Sequence, residues 1–240
     1  MSAEDQPRLL TRWDGGVLIA TLNRPERANA LDGSSIKALF ELFSQTANHE
    51  RCSAVILTGA GRHFCAGADV KAYATEPEAM SLRYGFHPVV KAMTLLDKPI
   101  VAAVNGSVAG GGLGLVLAAD VRIMAAHAQL IPSWIELGLV PDLGVSWLLP
   151  RMMGACAFEW LIAGQAMPAQ RALELGLANE VVAGEAVVMS ALARAREFAG
   201  KPGLAVALTK RLTRESWDRT YAMHLDAEAA MQEVAVGSAK

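Results

Sequence analysis

Lys98-Pro99-Ile100-Val101-Ala102-Ala103-Val104-Asn105-Gly106-Ser107-Val108-Ala109-Gly110-Gly111-Gly112-Leu113-Gly114 decides the reading of this chain: a β-branched run, a turn, three consecutive glycines, then the apolar helical pattern of residues 115–120. Glycine reaches backbone angles closed to other residues and lets a ligand approach the main chain. A helix that begins at such a turn aims its free N–H groups, and the positive end of its dipole, at whatever occupies the turn. A second stretch has the same character. Gly61-Arg62-His63-Phe64-Cys65-Ala66-Gly67-Ala68-Asp69-Val70-Lys71 directly follows the apolar run of residues 53–59.

Working outward, residues 16–23, 53–59 and 99–105 are apolar, rich in β-branched residues and bounded by turn formers, which predicts strands. Between the first two, Ile36, Leu39, Phe40 and Phe43 recur at helical spacing, with Asp32 or Ser34 as N-cap. Residues 76–95 predict another helix, ending before Lys98-Pro99. Strand, helix, strand, helix, strand implies right-handed crossovers and a largely parallel sheet, an α/β class. The second half reads as helical over 144–163, 168–175, 185–199 and 203–235, with Trp217, Tyr221, Leu225 and Met231 near one stripe. The expected division is a core of residues 1–185 and a helical region of residues 186–240.

Apolar residues make up 52% and charged residues 19% of the 240, enough to bury a core and too apolar for wholesale disorder. Net charge is −2 with no long Lys/Arg run, which argues against nucleic acid or an anionic membrane as partner. No apolar run approaches the ~18 residues that cross a bilayer. Cys52, Cys65 and Cys156 show no paired spacing, so a reducing compartment is expected, and the acidic N-terminus lacks a signal-peptide pattern. The expected location is the cytoplasm.

Other uses of glycine fit less well. A dinucleotide fingerprint belongs in the first strand–helix turn with G-x-G-x-x-G spacing, and these glycines come late and mis-spaced. A phosphate loop ends in Gly-Lys-Ser/Thr, which is absent. Ser107 and Ser146 both lack the Gly-x-Ser-x-Gly of a nucleophile elbow. Tight packing of helix on strand remains the plain structural use. His49, His63, His127 and His224 have no metal-ligand spacing and no Cys/His cluster exists, so no metal is expected.

Together with Leu22-Asn23-Arg24-Pro25-Glu26-Arg27-Ala28-Asn29-Ala30-Leu31, and with Leu137-Gly138-Leu139-Val140-Pro141-Asp142 followed by WLLPR, the two glycine turns make four blocks in order. In these blocks the chain resembles the crotonase (enoyl-CoA hydratase/isomerase) superfamily along nearly its whole length. The resemblance implies a spiral of ββα units with a helical C-terminal trimerisation region. It implies acyl-CoA or aryl-CoA thioester substrates, a homotrimer or dimer of trimers, and no cofactor, CoA being part of the substrate. It places an oxyanion hole at the backbone N–H groups of Ala68 and Gly111, flanked by Gly67 and Gly110. Ala28, Ala30 and Ala66 match positions lining the CoA arm. Arg27 and Lys71 match basic positions near the CoA phosphates, and Asp69, Val70 and Leu139 complete the binding surface. After Lys240 a further segment closing the CoA site would be expected.

The chemistry stays open at this stage. The resemblance leads one to expect two hydratase glutamates, yet those positions carry Gly114 and Trp134, and Glu136 stands two residues off. One acid remains, Asp142, and its position matches the single acid of enoyl-CoA isomerases of the phenylacetate-pathway type. Trp134, Leu143 and Val145 would surround it with apolar groups and raise its pKa above the ordinary ~3.9. In 4-chlorobenzoyl-CoA dehalogenases the matching Asp is a nucleophile, with a Trp and a His matching Trp134 and His87. Double-bond isomerisation is the leading reading. An aryl-CoA dehalogenase-like enzyme, a hydratase variant and a non-catalytic scaffold are the alternatives.

Overall fold

A hairpin of β1 (Leu9–Asp14) and β2 (Val17–Leu22) opens the chain. There follow β3 (Ala54–Gly59), β4 (Ile100–Val104), β5 (Val108–Ala109), β6 (Val121–Ala125), β7 (Gln129–Ile131), β8 (Met167–Pro168) and β9 (Glu180–Val182). The computed structural model describes residues 6–238; residues 1–5, on which part of the signal-peptide expectation falls, and residues 239–240 lie outside the described residues. One six-stranded sheet has the order β1-β2-β3-β4-β6-β9, antiparallel only between β1 and β2. Every residue of β3 and β4 is buried. That explains why both read as unbroken apolar runs rather than alternating ones.

A second, smaller sheet of β5, β7 and β8 runs alongside, and isolated bridges Leu31–Ala68 and Cys65–Val108 extend it. Each turn of the chain therefore lays one strand in the large sheet, one short extended piece in the small ladder, and a helix outside. The ββα spiral follows from this repeat. The small ladder sets the two glycine turns side by side.

The helices are α1 (Gly33–Ala47), α2 (Ala72–Thr75), α3 (His87–Leu95), α4 (Gly112–Ala118), α5 (Val145–Met153), α6 (Cys156–Ala163), α7 (Ala169–Glu174), α8 (Val187–Ala199), α9 (Gly203–Glu215) and α10 (Tyr221–Ser238). Asp32 caps α1: its Oδ1 accepts from Ser35 N at 2.8 Å and Ser35 Oγ at 2.7 Å, an arrangement of about 1 kcal/mol in stability. The helix buries Ile36, Leu39 and Phe43. The pattern over 76–95 is not one helix. Its first part turns at Pro77, a wider helical turn spans Leu82–Phe86, and α3 starts only at His87. Likewise 144–163 breaks at Gly154, which adopts φ +63°.

α8 begins the stretch assigned to the C-terminal region, yet it buries Val187, Ala191, Leu192 and Ala195 against the large sheet. After it, α9 buries only Leu208. α9 is tied down by charge: Lys210 Nζ donates to Asp120 at 2.6 Å and to Lys98 O at 2.9 Å, and Arg211 pairs with Asp97. α10 buries no residue and packs chiefly on α9.

Candidate active site

Strand alternation determines which way Ala68 faces. In its bridge with Leu31, Leu31 N donates to Gly67 O and Asp69 N donates to Leu31 O. The N–H of Ala68 must then point to the opposite side, towards the neighbouring turn at 109–111. That turn is in contact: a Cβ on Gly67 would stand 2.8 Å from Ala109 O and 3.0 Å from Gly111 N. Gly67 also has φ +88°, so only glycine fits without strain. Gly110 N donates to Ile131 O, which anchors the second turn to β7 and leaves Gly111 at the start of α4. Among the described residues neither Ala68 N–H nor Gly111 N–H has an acceptor. Two fixed, unengaged donors therefore sit on touching turns.

Asp142 stands over them. Its Oδ1 is 3.5 Å from the Cβ position of Gly111 and is buried without a hydrogen-bond partner. Burial pushes the carboxyl from an ordinary value of 3.8 up to about 6, partly offset by the Trp134 indole as a hydrogen-bonding neighbour. Trp134, Leu143 and Val145 are all buried, so the apolar setting expected of this acid is present. A group with such a pKa exchanges protons readily near neutrality. Leu143 holds the carboxylate in place. It takes φ +48°, rare for a branched residue, while its side chain packs on Gly111 and its Cβ and carbonyl lie at the Cβ position of Gly114.

The other candidates separate into two groups. Ala66 N donates to Ala28 O at 2.9 Å, so the 25–31 turn lies along the 65–71 loop and brings Arg27, Ala28, Ala66, Val70 and Lys71 to one surface. Arg27, Ala66, Val70 and Lys71 are exposed there. The Asp69 carboxylate is engaged within the protein. Its Oδ2 meets both Nη atoms of Arg24 at 3.1 Å, and Arg24 also donates to Ala30 O at 2.7 Å. The first motif is thus pinned to the loop through Arg24. Leu139 is half-exposed on the 136–140 loop. Glu136 turns away: its Oε1 lies 3.3 Å from the Cβ position of Gly164, beyond the end of α6.

His87 is half-buried at the start of α3 and makes no hydrogen bond to Asp142. It lines a cavity of about 610 Å³ that opens beyond Leu143 and Gly144, walled also by Val90, Trp147 and Arg214. One nearby group has no signal in the motifs. Tyr73, on α2, is half-exposed and has its pKa pushed up by burial and then by the negative charge of Asp142, which places it within that carboxylate's electrostatic reach. An aromatic residue one helical step past the loop was the available clue. Cys65 is inert, buried with its thiol pushed up to about 12.

The chain is thus a spiral of ββα units in which two backbone donors and a half-buried acid meet at adjoining turns. Comparison with known proteins agrees: residues 12–240 match the enoyl-CoA hydratase/isomerase family model. The chain belongs to the enoyl-CoA hydratase/isomerase family of acyl-CoA-processing enzymes. It is 35% identical over 238 residues to 1,2-epoxyphenylacetyl-CoA isomerase of Escherichia coli, covering 96% of this chain and 91% of that one. It is 40% identical over 204 residues to carnitinyl-CoA dehydratase of Proteus mirabilis, covering 83% and 77%. The crystal structure of an enoyl-CoA hydratase from Polaromonas superposes with a TM-score of 0.88 at 33% identity, over 93% of this chain and 89% of that one.

Proposed function

We propose that this chain moves a double bond of an acyl-CoA thioester from the Δ3 to the Δ2 position. Asp142 takes a proton from C2, and the electron pair flows into an enolate whose oxygen is held by the N–H groups of Ala68 and Gly111. As the carbonyl re-forms, C2=C3 replaces C3=C4 and Asp142 returns the proton to C4. One carboxylate suffices, because the same group gives back what it took. Each backbone donor at such an oxygen is worth ~3 kcal/mol of barrier. Arg27 and Lys71 face the CoA phosphates, with Ala28, Ala30, Ala66, Gly67, Val70, Gly110 and Leu139 along the arm. CoA is part of the substrate and no other group takes part.

The observation that carries this reading is the half-buried acid at the touching turns, with its pKa near 6 and one buried oxygen unengaged. Hydration wants a second acid–base group. Position 114 has no room for one, since a Cβ there would meet Leu143 Cβ at 2.3 Å, and position 134 holds Trp. The likeness to the E. coli isomerase points the same way and makes a ring-bearing acyl group a natural substrate. The dehalogenase-like reading is favoured by one fact, the Trp134 indole beside Asp142. Incubation with 3-hexenoyl-CoA, 2-hexenoyl-CoA and 4-chlorobenzoyl-CoA decides between them. The expected result is 2-hexenoyl-CoA from the first, no hydration of the second and no chloride from the third. Chloride release without isomerisation would replace the proposal.

The acting unit is read as a homotrimer, or a dimer of such trimers, in the cytoplasm. Support comes from α10, where Tyr221, Met223, Leu225, Val234 and Val236 are exposed apolar side chains on a helix with no core of its own. Light scattering should give three or six times the 25.4 kDa chain mass. A monomer would remove this part of the reading.

A further inference from the structure

We propose that His87 is a specificity residue, selecting acyl groups that carry a hydrogen-bonding oxygen several bonds away from the thioester. The inference rests on the thioester reading above and adds the substrate class. The cavity begins at Leu143, whose side chain packs on Gly111 and which follows Asp142 in the chain, so an acyl group with its carbonyl between Ala68 and Gly111 is directed towards it. The wall is largely apolar, formed by Val90, Ala118, Leu143 and Leu148.

Most polar side chains in that wall are already engaged or lie in water. Thr94 Oγ1 donates to Val90 O at 3.0 Å and Lys91 O at 3.1 Å. Arg214 donates to Thr94 O at 2.6 Å and pairs with Glu215, which also holds Arg219. Lys91 and Asp218 are exposed. That leaves the Trp147 indole, which can only donate, and His87, half-buried and with no hydrogen-bond or ion-pair partner among the described residues. A neutral imidazole offers one donor and one acceptor, so a hydroxyl or carbonyl on the acyl group can complete it. A purely hydrocarbon group would strip water from the ring and return nothing. His87 and Val90, Lys91 and Thr94 share one face of α3, which aims the imidazole along the cavity.

The test uses thioesters without an alkene to move, which bind without isomerising. Phenylacetyl-CoA analogues bearing a hydroxyl at the ortho, meta or para position are compared by calorimetry with their methyl isosteres. They are titrated against the native protein, His87→Leu and His87→Gln. At least one hydroxyl isomer should bind about tenfold more tightly than its methyl partner. His87→Leu should shrink that preference to less than twofold, and His87→Gln, which keeps a donor and an acceptor, should retain most of it. A native protein that binds all six thioesters without preference overturns the inference and leaves the thioester site standing. The same holds for a preference that survives His87→Leu unchanged. If no thioester binds better than free CoA, the site reading itself falls.

Discussion

Asp142→Asn lowers kcat for 3-enoyl-CoA by about a thousandfold, the middle of the range for losing a general acid–base group, and leaves thioester binding within a few-fold. The amide keeps the shape but cannot take a proton. In the native protein kcat/KM should fall tenfold per pH unit below about 6, because the working form is the carboxylate, and level off above it. The same substitution should stabilise the fold. The folded-state pKa lies above the ordinary value of 3.8, so the folded protein favours the protonated acid. That contribution is complete below 3.8 and is lost as pH rises through about 6. About two units correspond to ~3 kcal/mol of penalty on the charged form, an upper bound for a carboxyl that is partly exposed. Urea unfolding at pH 8 should therefore show Asp142→Asn more stable than the native chain, with the gap closing near pH 4. A variant that is less active but no more stable would mean that Asp142 is held by contacts favouring its charge. Its role as a base would then lose its physical footing.

What was legible in the sequence follows a physical line. β2, β3 and β4 could be read because buried parallel strands leave continuous apolar runs, and α1 because its cap and its stripe agree. The glycine turns could be read because close backbone approach excludes side chains. The short strands β5, β7 and β8 could not. Two or three residues carry no period, and their pairing comes from the spiral that brings them together. Ala68 and Gly111 act through main-chain N–H groups, so their side chains say little about them beyond being small. Asp142 was marked by its match to the single acid of the isomerases, whereas its orphaned oxygen needs coordinates. The ion pair of Asp69 was hidden for a related reason, since Arg24, which holds it, lies 45 residues earlier. Tyr73 and the engaged state of Thr94 and Arg214 depend wholly on tertiary contacts.

Gly114→Glu, which restores the acid expected of a hydratase, should produce neither hydratase nor isomerase. The obstacle is space rather than chemistry. A Cβ at position 114 would lie 2.3 Å from Leu143 Cβ and 2.7 Å from Leu143 O, distances no real side chain tolerates. Leu143 cannot yield cheaply, because it is buried, already in a left-handed conformation, and covalently joined to Asp142. Relief must move the 142–143 turn, which carries the carboxylate away from the donors. Overpacking of this kind costs about 1–3 kcal/mol of stability. A displacement of ~1 Å at the acid can cost a hundredfold in rate. Gly114→Ala provides the decisive control, since it adds the colliding atom without the carboxylate. Both variants should lose isomerisation of 3-hexenoyl-CoA to a similar degree, with lowered melting temperatures and no 3-hydroxyhexanoyl-CoA from 2-hexenoyl-CoA. If Gly114→Ala kept full activity, Leu143 would not be what excludes a second acid. If Gly114→Glu hydrated 2-hexenoyl-CoA, one substitution would separate this chain from a hydratase, and the single-acid site would be a matter of residue choice rather than of packing.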